Sequence, residues 1–162
     1  MTREAFRKLF DMYFEELRRY IFYRGGDAAL ADDVVQQTFL RVWEKQPVIL
    51  PGKEKAFLYK IASDEFIDQT RKKKRSGDFT KELELMTDGL TPEEELAYTE
   101  LALKYKQALA NMKAHHRAVF MMNRKEGLTY SEIAMRLNLS VKAIEKRMKS
   151  ALEQLKRELN QR

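Results

Sequence analysis

The stretch from Thr129 to Ala151 limits the possible folds of this chain more than any other part, because it has the pattern of two short helices joined by a tight turn. Ala134 is small enough for a second helix to cross closely over the first. Asn138 tolerates the left-handed backbone conformation that such a turn needs, and Ser140 can cap the following helix. The pattern predicts a helix-turn-helix. Its first helix has the inner face Ile133, Ala134 and Leu137.

The second of these helices separates apolar from charged side chains. Advancing about 100° per residue from Ile144 places Met148, Ala151 and Leu152 on one side. Lysines and a glutamate on the other side can meet phosphates and base edges in a DNA major groove. The alternative is a solvent-exposed helix in which Glu145 and Lys149 form an i,i+4 ion pair. The expected DNA contacts are Ser140, Val141, Lys142, Glu145, Lys146 and Lys149.

Charge is distributed along the chain in three blocks. Residues 1–75 have a net charge of +4, residues 76–100 of −7 and residues 101–162 of +9, from the Lys, Arg, Asp and Glu in each. Basic surfaces attract phosphates through counterion release, which makes nucleic acid the expected partner. A lysine-rich surface that serves only solubility is the alternative. We expect domains at 1–75 and 92–162, joined by a linker at 76–91.

Apolar periodicity in the first domain predicts three amphipathic helices. The first ends at Gly25-Gly26, the second starts after Asp27 and stops before Pro47, and the third precedes the basic run 71–75. The second domain opens at Thr91-Pro92-Glu93-Glu94, which has the pattern of a capping box. The fold class expected is all-α, with two small helical domains joined by a flexible acidic linker and a helix-turn-helix in the second.

Several classes of function lack the residues they need. The chain has no cysteine, which excludes disulfides and thiolate zinc sites. The adjacent His115 and His116 would diverge by about 100° on a helix, so no metal site is expected. Without a nucleophile or an acid and base pair, neither an enzyme nor a cofactor is expected. The charged N-terminus and the absence of a long apolar run argue against a signal peptide or membrane insertion, so we expect a cytoplasmic protein.

The predicted second helix has the composition of a docking surface. Acidic and amide side chains surround apolar ones, an arrangement that can pair with a basic surface of a protein partner. Phe39 and Trp43 fit the core of the domain equally well. The residues expected to contact a partner are Asp33, Gln36, Gln37, Phe39, Leu40, Arg41 and Trp43.

Together these segments resemble a known family, the extracytoplasmic-function group of bacterial RNA polymerase sigma factors, which keeps only sigma regions 2 and 4. The segment 33–44 (DVVQQTFLRVWE) resembles the part of region 2 that binds the clamp helices of the polymerase beta-prime subunit. The segment 126–155 is similar to the part of region 4 that reads the minus-thirty-five element and touches the beta flap. The resemblance implies three partners: core RNA polymerase, promoter DNA and an anti-sigma factor.

Residues 56–62 and 66–68, followed by a basic run, resemble the part of region 2 that melts and reads the minus-ten element. Aromatic side chains beside cations can hold unstacked bases, as Phe57 and Tyr59 would, although Phe57 also fits a core position. The loop 46–55 is our preferred site of base capture. The run 71–75 could grip duplex phosphates, or its cations could stabilise a helix C-terminus. The minus-ten contacts expected are Lys53, Lys55, Lys60, Ser63, Asp64, Arg71 and Lys72.

The chain departs from the family pattern at two places. Asp64 stands where the family commonly has asparagine, and Glu65 adds a second carboxylate near the expected path of the DNA. The segment 112–116 replaces a leucine-proline pair that usually precedes the last helices of region 4. The first departure affects which base is read, and the second affects a turn.

Two other functions fit the same sequence. A free-standing helix-turn-helix regulator would bind a palindromic site alone as a dimer, whereas a sigma factor needs core polymerase. A helical module that binds acidic proteins would show DNA binding with little dependence on salt.

Overall fold

The computed structural model describes residues 1–72 and 91–160, without the side chains of Glu95, Ala97 and Tyr98. The linker predicted at 76–91 therefore lies outside the described residues except for Thr91, as do the last three residues of the basic run 71–75. The described part is all-α, as predicted, and none of its helices is long and apolar enough to cross a membrane. Its helices are α1 (Arg3–Gly25), α2 (Ala28–Lys45), α3 (Glu54–Lys72), α4 (Pro92–Asn111), α5 (Ala114–Arg124), α6 (Tyr130–Leu137) and α7 (Val141–Leu159).

Most of these helices begin at a side-chain cap that the sequence predicts. Asp27 accepts a hydrogen bond from the backbone N–H of Leu30 at the start of α2. Thr91 and Glu94 form the predicted capping box, in which each side chain accepts from the other residue's backbone N–H. Capping does not depend on burial, because the side chain accepts hydrogen bonds from N–H groups of the first turn of its own helix. The helix starts predicted at these two sites are confirmed.

The N-terminal half, α1 to α3, packs around a core that includes Leu17, Ile21 and Leu58, all 0% exposed. The glycine pair at the end of α1 has two separate roles. Gly26 takes the left-handed conformation (φ 69°) that ends the helix. A Cβ at Gly25 would lie 2.9 Å from a ring carbon of Phe66, so a larger residue there would force the Phe66 ring of α3 to shift.

The C-terminal half, α4 to α7, holds the predicted helix-turn-helix in α6 and α7. Ile133 of α6 and Ile144 of α7 are both 0% exposed, and Ala134 is 5% exposed where the helices cross. Buried apolar side chains of the two halves form one continuous cluster, because α1 packs on α5 and α3 packs on α6. We call this contact between the halves the junction.

Arg117 of α5 lies at the centre of the junction and is 7% exposed. Its guanidinium donates to the backbone oxygens of Tyr23 (2.8 Å) and Arg24 at the end of α1. It also donates to the backbone oxygens of Leu109 (2.9 Å) and Met112 (3.3 Å) at the end of α4. The last carbonyls of a helix have no partner within the helix and carry partial negative charge, so a buried cation suits them. Arg117 thus joins two helix ends, one from each half.

A second set of polar side chains connects the two halves across the junction. Glu126, which follows α5, accepts from Arg19 (2.9 Å) and from the hydroxyl of Tyr23 (3.1 Å), both on α1. Arg136 of α6 lies 3.4 Å from Glu126 and 3.3 Å from Glu16 of α1. The side chains of Glu16, Glu126 and Arg136 are each less than one fifth exposed, so water screens these pairs less than it screens surface pairs.

We predict that Arg117→Met lowers the free energy of unfolding by about 2 kcal/mol, because it leaves the carbonyls of two helix ends without a buried donor. Urea denaturation followed by circular dichroism measures this. The matched control is Arg124→Met on the same helix, whose side chain is exposed; it should stay within about 0.5 kcal/mol of the parent. Equal stability of the two variants would contradict the role given to Arg117.

Candidate nucleic-acid interface

The free face of α7 carries the residues predicted to read DNA. Lys142, Glu145, Lys146 and Lys149 are all exposed, and the opposite face, with Met148 (1% exposed) and Ala151 (0% exposed), is buried against the core. Ser140 accepts from the backbone N–H of Ala143 and so caps α7, while Val141 is 40% exposed beside it. A helix with its charged face turned outward at its N-terminal end has the geometry that helix-turn-helix proteins insert into a major groove.

The turn before α7 has the predicted conformation. Asn138 has φ 54° and ψ 47°, in the left-handed region, and its backbone N–H bonds to the oxygen of Ala134. At the start of α6, Thr129 and Glu132 form a capping box, which lowers the pKa of Glu132 because the carboxylate accepts from the Thr129 backbone and side chain. Both ends of α6 are therefore fixed by local hydrogen bonds.

On α2, most of the predicted docking residues share one outward face. Asp33, Gln36, Leu40 (47% exposed) and Trp43 (40% exposed) are exposed, and Gln37 is partly so. Phe39 requires a correction, because it is 2% exposed. Its ring packs against aromatic rings of α1, which leaves it no surface for a partner. The rings within 6.2 Å of it, centre to centre, are Phe6, Phe10 and Phe14.

Arg41 and Glu65 bind each other across α2 and α3. An Nη of Arg41 lies 3.1 Å from Oε2 of Glu65, whose other carboxylate oxygen accepts from Gln69 at 3.1 Å. Glu65 is 6% exposed. The expectation that Glu65 adds a second negative charge to the DNA path is therefore wrong: its carboxylate points into the core, and the Arg41 guanidinium balances its charge. Asp64 is exposed.

The predicted minus-ten residues divide between exposed and partly buried positions. Lys53, Lys60, Arg71 and Lys72 are exposed, whereas Lys55 and Ser63 are partly buried. The Lys55 ammonium lies 3.6 Å from Glu16 and so has a partner within α1. Tyr59 cannot serve as a stacking platform, because it is 3% exposed and its hydroxyl donates to Glu16 at 3.1 Å. Phe57 is the one of the two rings that keeps some exposed surface.

A cavity of about 580 Å³ at the junction brings residues of the two halves together. Lys60, Ser63 and Asp64 of α3 line one side, and the turn 137–139 lines the other. Two residues that the sequence had not suggested, Arg24 and Arg147, also line it. Three of the predicted minus-ten residues of α3 therefore lie across this cavity from the turn of the helix-turn-helix.

Sequence reasoning missed the junction altogether. Arg117 precedes a run of five buried residues, Ala118–Met122. A single cation next to such an apolar run was the one feature of the sequence that could have indicated a buried arginine. Glu16, Glu126 and Arg136 looked like ordinary surface charges, because nothing in one sequence shows which helices pack against them.

Comparison with known proteins identifies the family. The sigma-70 region 2 model matches residues 9–76, and the sigma-70 region 4 model matches residues 102–155. The ECF RNA polymerase sigma factor SigL of Mycobacterium tuberculosis is 31% identical over 156 residues, which cover 93% of this chain and 86% of SigL. The chain belongs to the extracytoplasmic-function (ECF) sigma factors. Sigma factors bind RNA polymerase and direct it to promoters, and this ECF sigma factor carries both regions that the group retains.

Two further proteins show how far the likeness extends. The ferric citrate uptake sigma factor FecI of Escherichia coli is 29% identical over 92% of this chain and 87% of FecI. The sigma factor RpoE of Bartonella quintana, solved in complex with the anti-sigma factor NepR, has a TM-score of 0.59 and 21% identity over 96% of this chain and 97% of its own. The second comparison shows that the described residues share the fold of RpoE.

For the helix-turn-helix we predict that Asn138→Val lowers the free energy of unfolding by about 1 to 2 kcal/mol, because a β-branched residue is strained at φ 54°. Asn138→Gly is the matched control, and we expect it to leave stability within about 0.5 kcal/mol, because glycine enters this region freely. Thermal unfolding of both variants checks this. A glycine variant that is as unstable as the valine variant would contradict the conformational explanation.

Proposed function

We propose that this ECF sigma factor divides its work between two domains. Residues 1–75 bind core polymerase and recognise and melt the minus-ten element, while residues 92–162 recognise the minus-thirty-five element. The outward basic face of α7 and the outward apolar and amide face of α2 support this division. We further propose that the protein acts in the cytoplasm as a binding factor without catalytic chemistry of its own.

The docking surface we propose comprises the exposed residues of α2. Leu40 and Trp43 form a partly exposed apolar pair, and the Trp43 ring is held by Phe6 with 5.1 Å between ring centres. Asp33 and Gln36 lie on the same face towards the start of the helix, where they can accept hydrogen bonds from a basic partner. We propose the clamp helices of the beta-prime subunit as the surface that covers this face, and the beta flap as a partner of the C-terminal half.

For promoter DNA we propose contacts from two surfaces. On α7 they are made by Ser140, Val141, Lys142, Glu145, Lys146 and Lys149. In the N-terminal half they are made by Lys53, Lys60, Ser63, Asp64, Arg71 and Lys72. Lys55 makes a weaker contact with DNA, because its ammonium also pairs with Glu16. The loop 46–53 exposes Val48 (91%) and Leu50 (65%), which supports its proposed role in holding a base out of the stack.

While the junction is closed, the two surfaces cannot contact the two elements of one promoter at the same time. Elements named for positions minus ten and minus thirty-five are about 25 base pairs apart, which is about 85 Å along B-form DNA. Here α3 and the turn before α7 share the lining of one cavity. We therefore propose that polymerase separates the two halves, breaking the contacts of Arg117 and Glu126 across the junction.

An anti-sigma factor is a further proposed partner. The RpoE structure contains such a factor, and α4 of this chain exposes three leucines, of which the first and the last lie seven residues apart on one side of the helix. These are Leu96 (66%), Leu101 (53%) and Leu103 (54%).

The first test is transcription from a cognate promoter by the protein with core polymerase. We predict that Leu40→Ser reduces run-off product and polymerase binding by roughly tenfold, as loss of a central apolar contact does. Met12→Ser is the matched control for polymerase binding alone, because Met12 is also an exposed apolar residue (58%) but lies on α1, where it lines a cavity with Val48 of the loop proposed to hold a base. Full activity of the Leu40 variant would remove α2 from the docking site. A protein that binds a palindromic site alone would instead be a free-standing regulator.

The second test concerns α7. We predict that Lys146→Ala weakens use of the minus-thirty-five element by about 1 to 3 kcal/mol if the lysine reads a base, or lowers the salt dependence by about one charge if it contacts a phosphate. Lys156→Ala removes the same charge near the end of the same helix and should change neither quantity. Promoter titrations at several salt concentrations measure both. If the Lys146 variant shows the same promoter use and the same salt dependence as the parent, Lys146 does not contact the minus-thirty-five element.

A further inference from the structure

The cavity at the junction carries an excess of positive charge. Arg24, Lys53 and Lys60 line it from the N-terminal half, and Arg147 lines it from the C-terminal half. Asp64 is the only carboxylate among its described lining residues. Its volume of about 580 Å³ is in the range of ligand-binding pockets, which is about 300 to 1,000 Å³.

Arg24 has no acidic partner among the described residues. Its guanidinium stacks on the Phe66 ring at 4.6 Å and donates to the hydroxyls of Tyr20 (3.3 Å) and Ser63. Its Nε is buried and makes no hydrogen bond to a described residue. Rings and hydroxyls orient this cation but do not neutralise it.

Arg147 is in the same situation on the other side of the cavity. It is partly buried and forms no ion pair or hydrogen bond with the described residues. Burial lowers the pKa of Arg147, Tyr20 raises it, and the charge of Arg24 lowers it further. Burial, His116, Arg147 and Arg24 in turn lower the pKa of His115. Cations brought together and partly withdrawn from water cost free energy, and an anion between them offsets that cost.

We propose that this cavity binds a phosphorylated small molecule of nucleotide size, with its phosphates between Arg24, Lys60 and Arg147. Guanidinium groups suit phosphate because their planar N–H groups match two of its oxygens. The partly exposed ring of Phe57 in the lining offers a face to a base. Since the cations come from both halves, the ligand binds the closed arrangement and shifts the population towards it.

The test uses the full chain and ATP as the probe, titrated by calorimetry without Mg²⁺. We expect one saturable site. Arg147→Gln and Lys60→Gln, one from each half, should each weaken binding about tenfold, as loss of a charged hydrogen bond does. Lys156→Gln removes the same charge from α7 outside the cavity and should leave the affinity within twofold, which is about 0.4 kcal/mol. Circular dichroism verifies that each variant is folded.

Three results would overturn the proposal. An ATP titration in which the binding signal does not saturate would show that the cavity is not a specific site. An equal loss in the Lys156 and Arg147 variants would show general attraction of polyanions to a basic protein. Binding of a five-nucleotide single-stranded DNA under conditions where ATP does not bind would make the cavity part of the DNA path. Neither polymerase nor a promoter is present in this assay, so its outcome is independent of whether the protein starts transcription.

Discussion

The Arg117 guanidinium is the interaction on which the relation between the two halves depends. A guanidinium stays charged even where burial lowers its pKa, as it does here, so it must find acceptors inside the protein. The ends of α1 and α4 supply them, because their last carbonyls lack intrahelical partners. Those two ends meet only when the halves are packed together. One side chain thus makes the closed arrangement specific, while the apolar cluster around it supplies most of the attraction.

Closure affects the two proposed DNA surfaces unequally. The outward face of α7 stays exposed, so its lysines can still approach a duplex. On α3, by contrast, Lys60, Ser63 and Asp64 line a cavity whose other side is formed by the turn 137–139. The minus-ten surface is therefore the one that opening would release. A partner can drive that opening only by binding the separated halves more tightly than the closed ones, which is the thermodynamic task we assign to polymerase.

Local chemistry explains which features could be predicted from the sequence. Asp27, Thr91, Asn138 and Ser140 act within their own turns, so their roles follow from neighbouring residues alone, and the structure confirms them. The two faces of α7 were predictable for the same reason, since helical periodicity places every side chain relative to Ile144.

Features that depend on packing between distant helices were not predictable in this way. Phe39 and Tyr59 have aromatic side chains that suit either a core or a binding surface, and the choice depends on what α1 places against them. Glu65 looked like a surface carboxylate until Arg41, one helix away, was seen to bind it. Arg117 is the extreme case, because its partners are 93 and 94 residues distant at the end of α1.

The most direct test of the account measures the distance between the halves. The chain has no cysteine, so cysteines introduced at Lys8 and Lys156, which are exposed on α1 and α7, can carry a fluorescent donor and acceptor. We predict efficient energy transfer in the free protein and a large loss of transfer when core polymerase and promoter DNA are added together. Transfer that stays the same in the promoter complex, or that is already low in the free protein, would contradict a closed junction that opens on the promoter.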